Sequence, residues 1–287
     1  MEKILILGGS GTVGARLLDE IVRQRSDQQI TFVCACRSDA AKEKIRSRGL
    51  GTIFLDLGDP QSVKAATHGV ATIFLLKPYG LKMLNYAKTV IDAASSADVR
   101  AVVNLSAFGP NDSAIDLLTW HRLVDSYGDR SEIAFTHLRP AFFMESLAAR
   151  IGLEAGVVYD LSDRLPVPWI AAGDIARTAL AILTDPDAHS AGAYPLVSEI
   201  ASAPDIVAML EGLTARTFEI VSMDEGKTVE ILIARGREPA FARAIVEYGK
   251  AASSFITPNI TGNVEAITGE AATTLRQFLT GQVQNRL

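Results

Sequence analysis

The chain has 287 residues, of which 48% are hydrophobic, and a formal net charge of −5. That much apolar material can bury a large core, which excludes a disordered chain and points to one α/β domain with a smaller appended lobe. Nucleic acid and membrane are excluded as partners: Lys42, Lys44, Arg46 and Arg48 alternate with other residues as on a solvated helix face, and no apolar stretch reaches the roughly 18 residues of a membrane span.

The first run, Ile4-Leu5-Ile6-Leu7, reads as a strand buried on both faces. It breaks into Gly8, Gly11 and Gly14, after which Val13, Leu17, Leu18, Ile21 and Val22 share one helical face. Gly8 permits a tight turn, Gly11 lacks the Cβ that would keep backbone away from a pyrophosphate, and Gly14 lets the helix pack closely on its strand. With Ser10 in the turn, the N–H groups of Thr12 and Val13 point at phosphates, where the helix dipole also favours negative charge. No Gly-Lys-Ser/Thr follows, which argues against a Walker-type loop.

Ile30 to Cys36 is the second strand, and its two cysteines, Cys34 and Cys36, read as core filler. Where NAD-binding folds place an acid against the ribose, this chain has Arg37, whose planar charged fork suits a 2′-phosphate and so favours NADPH, with Arg16 as a second cation. Thr52 to Leu55 is the third strand. Asp56-Leu57 follows to flank the adenine, then Asp59 as an N-cap and Pro60 as the first helical residue. Ala71 to Leu76 carries Leu76 and Lys77 to the carboxyl end of the sheet, where ligands approach. A helix from about Leu81 to Ala94 precedes a fifth strand, Arg100 to Leu105, and the loop Ser106-Ala107-Phe108-Gly109-Pro110. A helix carrying Leu117, Trp120, His121 and Val124 leads to strand six, Ile133 to Leu138, and then Arg139-Pro140-Ala141-Phe142-Phe143-Met144. Ser106, Pro140 and Ala141 join the cofactor-contact candidates at these strand ends.

Repeated strand–helix units imply a doubly wound parallel Rossmann sheet with a smaller carboxyl-terminal α/β substrate lobe. Residues 1–150 are expected to form the NADP-binding domain and 151–287 the substrate lobe, across a soft boundary, because a short strand at Ala193 to Val197 can rejoin the main sheet. His68, His121, His137 and His189 are dispersed, so no metal site is expected. A strand at the amino terminus, in place of a charged leader, fits a cytosolic protein.

The chain resembles the NmrA-like group of atypical short-chain dehydrogenase/reductases over nearly its whole length. The resemblance rests on Gly8-Gly9-Ser10-Gly11-Thr12-Val13-Gly14, Asp56-Leu57, Asn104-Leu105-Ser106-Ala107 and Leu138-Arg139-Pro140-Ala141-Phe142-Phe143-Met144-Glu145. Ala172-Gly173-Asp174-Ile175-Ala176, Gly192-Ala193-Tyr194-Pro195-Leu196 and the segment from Val264 to Leu279 extend it. It implies an NADPH-binding Rossmann domain and a smaller lobe closing a cleft over the nicotinamide.

The chain departs from the ordinary family enzymes in having no Tyr-x-x-x-Lys among its six tyrosines. At the place where many members of the group keep a lone lysine stands His121, for which three roles are open: general acid, ribose ligand, or packed helix residue. Phe108, Trp120, Phe142, Phe143 and Trp169 are candidates for an aromatic surface around a planar apolar substrate, or for plain core. The expected function is an NADPH-dependent reductase of a quinone, enone, imine or carbonyl; a non-catalytic NADP(H)-sensing regulator is the alternative. Its expected partner is a small-molecule substrate, and homodimerisation is left open.

Overall fold

A computed structural model describes residues 2–24, 29–189, 192–255 and 260–284. The chain opens with β1 (Glu2–Ile6), α1 (Thr12–Arg23), β2 (Ile30–Cys36), α2 (Asp39–Arg46), β3 (Gly51–Phe54), α3 (Pro60–Thr67) and β4 (Thr72–Leu75). It continues with α4 (Met83–Ser96), β5 (Ala101–Leu105), α5 (Asp116–Asp129) and β6 (Ala134–Pro140). Next come β7 (Phe142–Phe143), α6 (Glu145–Ala148), β8 (Ile151–Gly152), β9 (Val157–Asp160), β10 (Val167–Ile170), α7 (Ala172–Thr184) and β11 (Gly192–Leu196). The last are β12 (Glu199–Ala201), α8 (Ala203–Thr214), β13 (Glu219–Ser222), α9 (Glu225–Ala234), α10 (Pro239–Ala251), α11 (Asn263–Thr268) and α12 (Leu275–Gln284).

Seven strands form one sheet in the order β3-β2-β1-β4-β5-β6-β11. The pairs from β3 across to β6 are parallel, with Ile4 opposite Phe32 on one side and Thr72 on the other. The order reverses between β1 and β4, the switch point at which open α/β sheets bind ligands. Along β1 the side chains alternate: Leu5 joins Val63 and Ala66 of α3 and Val90, Ile91 and Ala94 of α4 in one cluster, while Ile4 and Ile6 point to the opposite face and are also buried. Both faces are therefore covered, which is why the strand is a continuous aliphatic run.

The chain separates into two compact units. Unit 1 comprises residues 1–107, 120–139 and 175–194, and unit 2 comprises 108–119, 140–174 and 195–287. In unit 1, α1 buries Val13, Leu17, Leu18 and Ile21, but Val22 is 40% exposed. The inward stripe is thus narrower than the sequence pattern implies, and Val22 falls beyond its edge.

Unit 2 holds two three-stranded sheets, β12-β10-β7 and β13-β9-β8. Its core includes Met144, Leu147, Val158, Trp169, Ile206, Leu210, Leu275 and Leu279. Carboxylates tie its segments together. Both oxygens of Glu145 accept from Ala172 N, at 3.0 and 3.1 Å, and Asp174 accepts from Thr273 N and Oγ1, each at 2.8 Å. The Ala172-to-Ala176 motif thus opens α7 and anchors the carboxyl-terminal segment 99 residues away. Among the described residues no helix is long and apolar enough to cross a membrane.

Candidate functional site

The turn between β1 and α1 has the expected geometry. Gly8 sits at φ +72°, and its carbonyl accepts from Gly11 N at 3.0 Å. A Cβ on Gly8 would lie 2.5 Å from Leu76 Cδ2, so Leu76 packs onto the turn. A Cβ on Gly14 would lie 2.1 Å from Gly8 O and 2.8 Å from Gly9 Cα, a backbone clash that no rotamer relieves. Gly11 is different: its φ of −81° suits any residue and its nearest obstacle, Gly8 O, is 3.4 Å from a built Cβ. What its missing side chain leaves open is space outside the protein. Gly11 is the N-cap of α1 and no side chain caps the helix, whose first turn carries no acid. Ser10, Gly11 and Thr12 are exposed while Val13 is buried. The turn thus fits a pyrophosphate.

Arg37 is exposed at the end of β2 and makes no hydrogen bond or ion pair with another described residue. Beside it, Ser38 caps α2 by accepting from Ala41 N at 3.3 Å. Asp56 Oδ1 accepts from Gly58 N at 2.9 Å, its own N–H donates to Ser62 Oγ, and half-buried Leu57 packs on the core below. Asp59 caps α3 through Gln61 N at 3.0 Å, with Pro60 in the first turn. Cys34 is buried, with its thiol pushed up to about 12 chiefly by burial, and both cysteines are free thiols.

The carboxyl ends of β4, β5 and β6 hold a buried polar cluster. Lys77 donates to Asn104 Oδ1 and to Leu105 O, both at 2.7 Å. An ammonium has only donors, so this contact fixes the Asn104 amide with Oδ1 towards Lys77 and Nδ2 away from it. Nδ2 then donates to Asp125 Oδ1 at 2.9 Å and meets His137 Nδ1 at 3.0 Å. His137 Nδ1 must therefore accept, leaving its Nε2–H to donate to Asp129 Oδ1 at 2.8 Å. Asp125 is the hub: Oδ2 accepts from Ser106 Oγ at 2.9 Å, Arg139 Nη2 at 3.0 Å and Arg122 Nη1 at 3.3 Å. Arg122 Nη2 also donates to Ala107 O at 3.1 Å, holding the loop after β5.

His121 lies in the same region without a polar partner. It is 1% exposed, and neither ring nitrogen has a hydrogen-bond partner among the described residues. Tyr79, two residues past Lys77, meets the imidazole edge-on, with ring centroids 5.7 Å apart. Burial, reinforced by the charges of Lys77, Arg122 and Arg139, holds the His121 pKa well below 6.5. The ring is therefore neutral at pH 7, with one N–H and one lone pair that no other described residue satisfies. Burial likewise lowers the Lys77 ammonium to about 8, against the attraction of Asp125. Of the aromatic candidates, unit 1 holds Trp120, half-buried against Met83, Ala87 and Val124.

In unit 2, Phe108 is buried and its N–H donates to Pro140 O at 3.0 Å, while Ala141 N donates to Leu196 O at 3.0 Å. Phe142 stacks on Tyr248 with centroids 4.5 Å apart, and Tyr248 Oη donates to Phe108 O at 2.7 Å. Trp169 is core: it is 2% exposed, and its Nε1–H donates to Ala201 O at 3.0 Å. Phe142 and Phe143 are half-buried.

Sequence reasoning left out Arg122, Asp125, His137 and Tyr248. One signal was present: Asn104 and His137 are polar residues inside otherwise apolar buried strands, and they stand opposite each other in the β5–β6 register. A buried polar side chain needs a partner, which would have led to Asp125, one turn after His121.

The sheet order, the glycine turn at the switch point and the polar cluster at the strand ends define a nucleotide-binding α/β protein of the Rossmann class. The chain belongs to the NmrA-like family, whose model matches residues 1–279. It is 28% identical over 279 residues to the NAD(P)H azoreductase of Xenophilus azovorans, covering 96% of each chain. The NADPH complex of an Escherichia coli NADPH-dependent quinone oxidoreductase superposes with a TM-score of 0.84 at 20% identity, covering 98% of this chain and 100% of the other. The negative transcriptional regulator NmrA, in complex with NADP, gives a TM-score of 0.73 at 14% identity, covering 100% and 98%.

Proposed function

We propose that the protein is an NADPH-dependent reductase that passes hydride to a planar apolar acceptor, a quinone, enone, imine or carbonyl, without a Tyr-Lys pair. Residues 1–150 serve mainly the cofactor and 151–287 the substrate, except that 175–194 groups with unit 1 and 108–119 and 140–150 group with unit 2. The turn of Gly8, Ser10, Gly11, Thr12 and Val13 takes the pyrophosphate, Arg37 the 2′-phosphate, and Asp56 and Leu57 the adenine. Leu76, Ser106, Pro140 and Ala141 are the contacts assigned to the nicotinamide half, beside Lys77, and Phe108, Trp120, Phe142 and Phe143 those assigned to substrate, with Trp169 backing Phe142. When bound, the cofactor supplies the hydride. Like the azoreductase and the quinone oxidoreductase it resembles, the protein is an oxidoreductase in this reading.

The observation that carries it is His121. A buried imidazole with both nitrogens unsatisfied costs stability, as does a buried ammonium beside it. A module that only senses nucleotide has no need of either; a site that must hydrogen-bond a polar atom of an acceptor does. Because the ring stays neutral, His121 acts by donating a hydrogen bond rather than by releasing a proton from an imidazolium. His121→Gln should therefore retain most turnover, whereas His121→Ala should lose about tenfold or more, the scale of one hydrogen bond to a reacting group.

Steady-state NADPH oxidation against quinones, enones, cyclic imines and carbonyls tests the function. Tight NADPH binding with no oxidation by any acceptor would move the protein to the sensor class. For the cofactor, Arg37→Ala should weaken NADPH about tenfold or more and leave NADH nearly unchanged, since a charge-assisted bond is worth about 1.5–3 kcal/mol. Equal losses for both would refute the 2′-phosphate assignment.

A further inference from the structure

We propose that Lys77 is the proton source of this site, presenting the N–H that Asn104 and Leu105 leave unused to an oxygen or nitrogen of the acceptor, beside the unpaired imidazole of His121. The inference rests on the reductase reading. An ammonium carries three donors, and only two of them have acceptors among the described residues, Asn104 Oδ1 and Leu105 O at 2.7 Å. The side chain is buried, so the third N–H is not spent on bulk water.

Elimination leads to the same residue. The titratable or charged groups around Lys77 are His121, Arg122, Asp125 and Asp129 from α5, and His137 and Arg139 from β6. Arginines do not release protons in this range. Asp125 is an acceptor for Asn104, Ser106, Arg122 and Arg139. His137 is committed to Asn104 and Asp129, and His121 stays neutral. Tyr79 is 45% exposed as a residue, yet protein crowds its hydroxyl and pushes it up to about 12, too weak an acid. Lys77, lowered to about 8, both holds a proton at neutral pH and can give it up.

In the step, one Nζ–H bond breaks and its electron pair stays on nitrogen. The proton forms an O–H or N–H bond on the acceptor, whose two new electrons come with the hydride of the reduced nicotinamide cofactor. Lys77 is left as a neutral amine and regains its proton from water. Asn104 and Asp125 are positioning residues: Asp125 Oδ1 holds Asn104 Nδ2, which turns Oδ1 to the ammonium.

The test combines a titration with two variants of the full chain. In protein carrying 13Cε-labelled lysine, one resonance that disappears in Lys77→Met should titrate near pH 8, and wild-type kcat should fall above the same pH. Lys77→Arg keeps a charge that cannot be shed. It should lower kcat about 100-fold, abolish the alkaline limb and leave NADPH affinity, read by fluorescence, within about threefold of wild type. Lys77→Met should lose at least as much turnover. A Lys77 resonance titrating at the ordinary value near 10.4, or unchanged kcat in either variant, overturns the role. A loss of NADPH affinity in step with kcat overturns it in favour of a cofactor contact. If Lys77→Met melts far below wild type, the wild-type titration and Lys77→Arg still decide. A wild type that reduces no acceptor overturns the reductase reading together with this role, whereas a wild type that turns over alongside unimpaired variants overturns this role alone.

Discussion

The glycine turn between β1 and α1 and the cluster around Asp125 stand at the same end of the same kind of strand, yet they are made of different material. The turn uses backbone: an uncapped helix start, a carbonyl from Gly8, and glycines where side chains would collide or intrude. The cluster uses side chains brought together from β4, β5, α5 and β6, all buried or half-buried except Asp129, around one carboxylate. The turn is set by seven consecutive residues, so its tolerance to mutation is a matter of space. The cluster is set by mutual satisfaction of charge, so removing one member strands the others.

The largest effect should come from Asp125→Ala, which leaves Arg122 and Arg139 buried or nearly so without their shared carboxylate. Breaking a buried ionic network costs about 3–5 kcal/mol, measurable as a drop in the urea midpoint at unchanged slope. A loss below about 1 kcal/mol, the scale of a surface pair, would show that water replaces the carboxylate and that the hub is not the centre of the cluster.

Next comes the pH dependence of stability. Native Lys77 loses its proton near pH 8 while the unfolded side chain keeps it to about 10.5, so between these values the unfolded state binds more protons. Stability therefore rises with pH across that window, by at most about 3 kcal/mol from this group. Urea unfolding from pH 7 to pH 10 should show the rise in wild type and a flatter profile in Lys77→Met. His121 acts in the same sense at lower pH: its native pKa is lowered well below 6.5, so the unfolded state takes up a proton first and stability falls as pH drops below 6.5. His121→Gln should remove that part of the acid loss.

On the turn, Gly14→Ala should destabilise by about 1–3 kcal/mol, the range for overpacking, because its Cβ would meet the Gly8 carbonyl. Gly11→Ala should leave stability within about 0.5 kcal/mol while weakening NADPH. The pair separates a glycine needed by the fold from one needed by the ligand; equal destabilisation would erase that distinction. Outside both regions, Asp59→Ala should remove the α3 cap for about 1 kcal/mol without altering the pH profile of either region.

Much of unit 1 was legible because its signals are local. The bounds of β2 match the run Ile30 to Cys36, and Asp59 and Pro60 start α3 as their cap chemistry requires. The glycine spacing is legible for the same reason: turn, helix start and close packing are all decided within seven residues. Arg37 could be read off too, since its position follows from where β2 ends. Val22 could not, because the width of the buried stripe on α1 depends on what the sheet accepts.

In the chain itself lay the order of strands and helices through β6, the glycine turn, the missing Tyr-x-x-x-Lys and the candidacy of His121. Tertiary structure alone decided what surrounds His121. Lys77, Asn104, Asp125, His137 and Arg139 span more than 60 residues of sequence, and no spacing rule links them, because parallel strands of one sheet bring their carboxyl ends together whatever the lengths of the crossovers between them. That convergence buries the lysine, leaves the imidazole without a hydrogen-bond partner among the described residues and lowers both pKa values. Burial and charge proximity are properties of three-dimensional neighbours, so the acid–base character of the site enters only when the chain is folded.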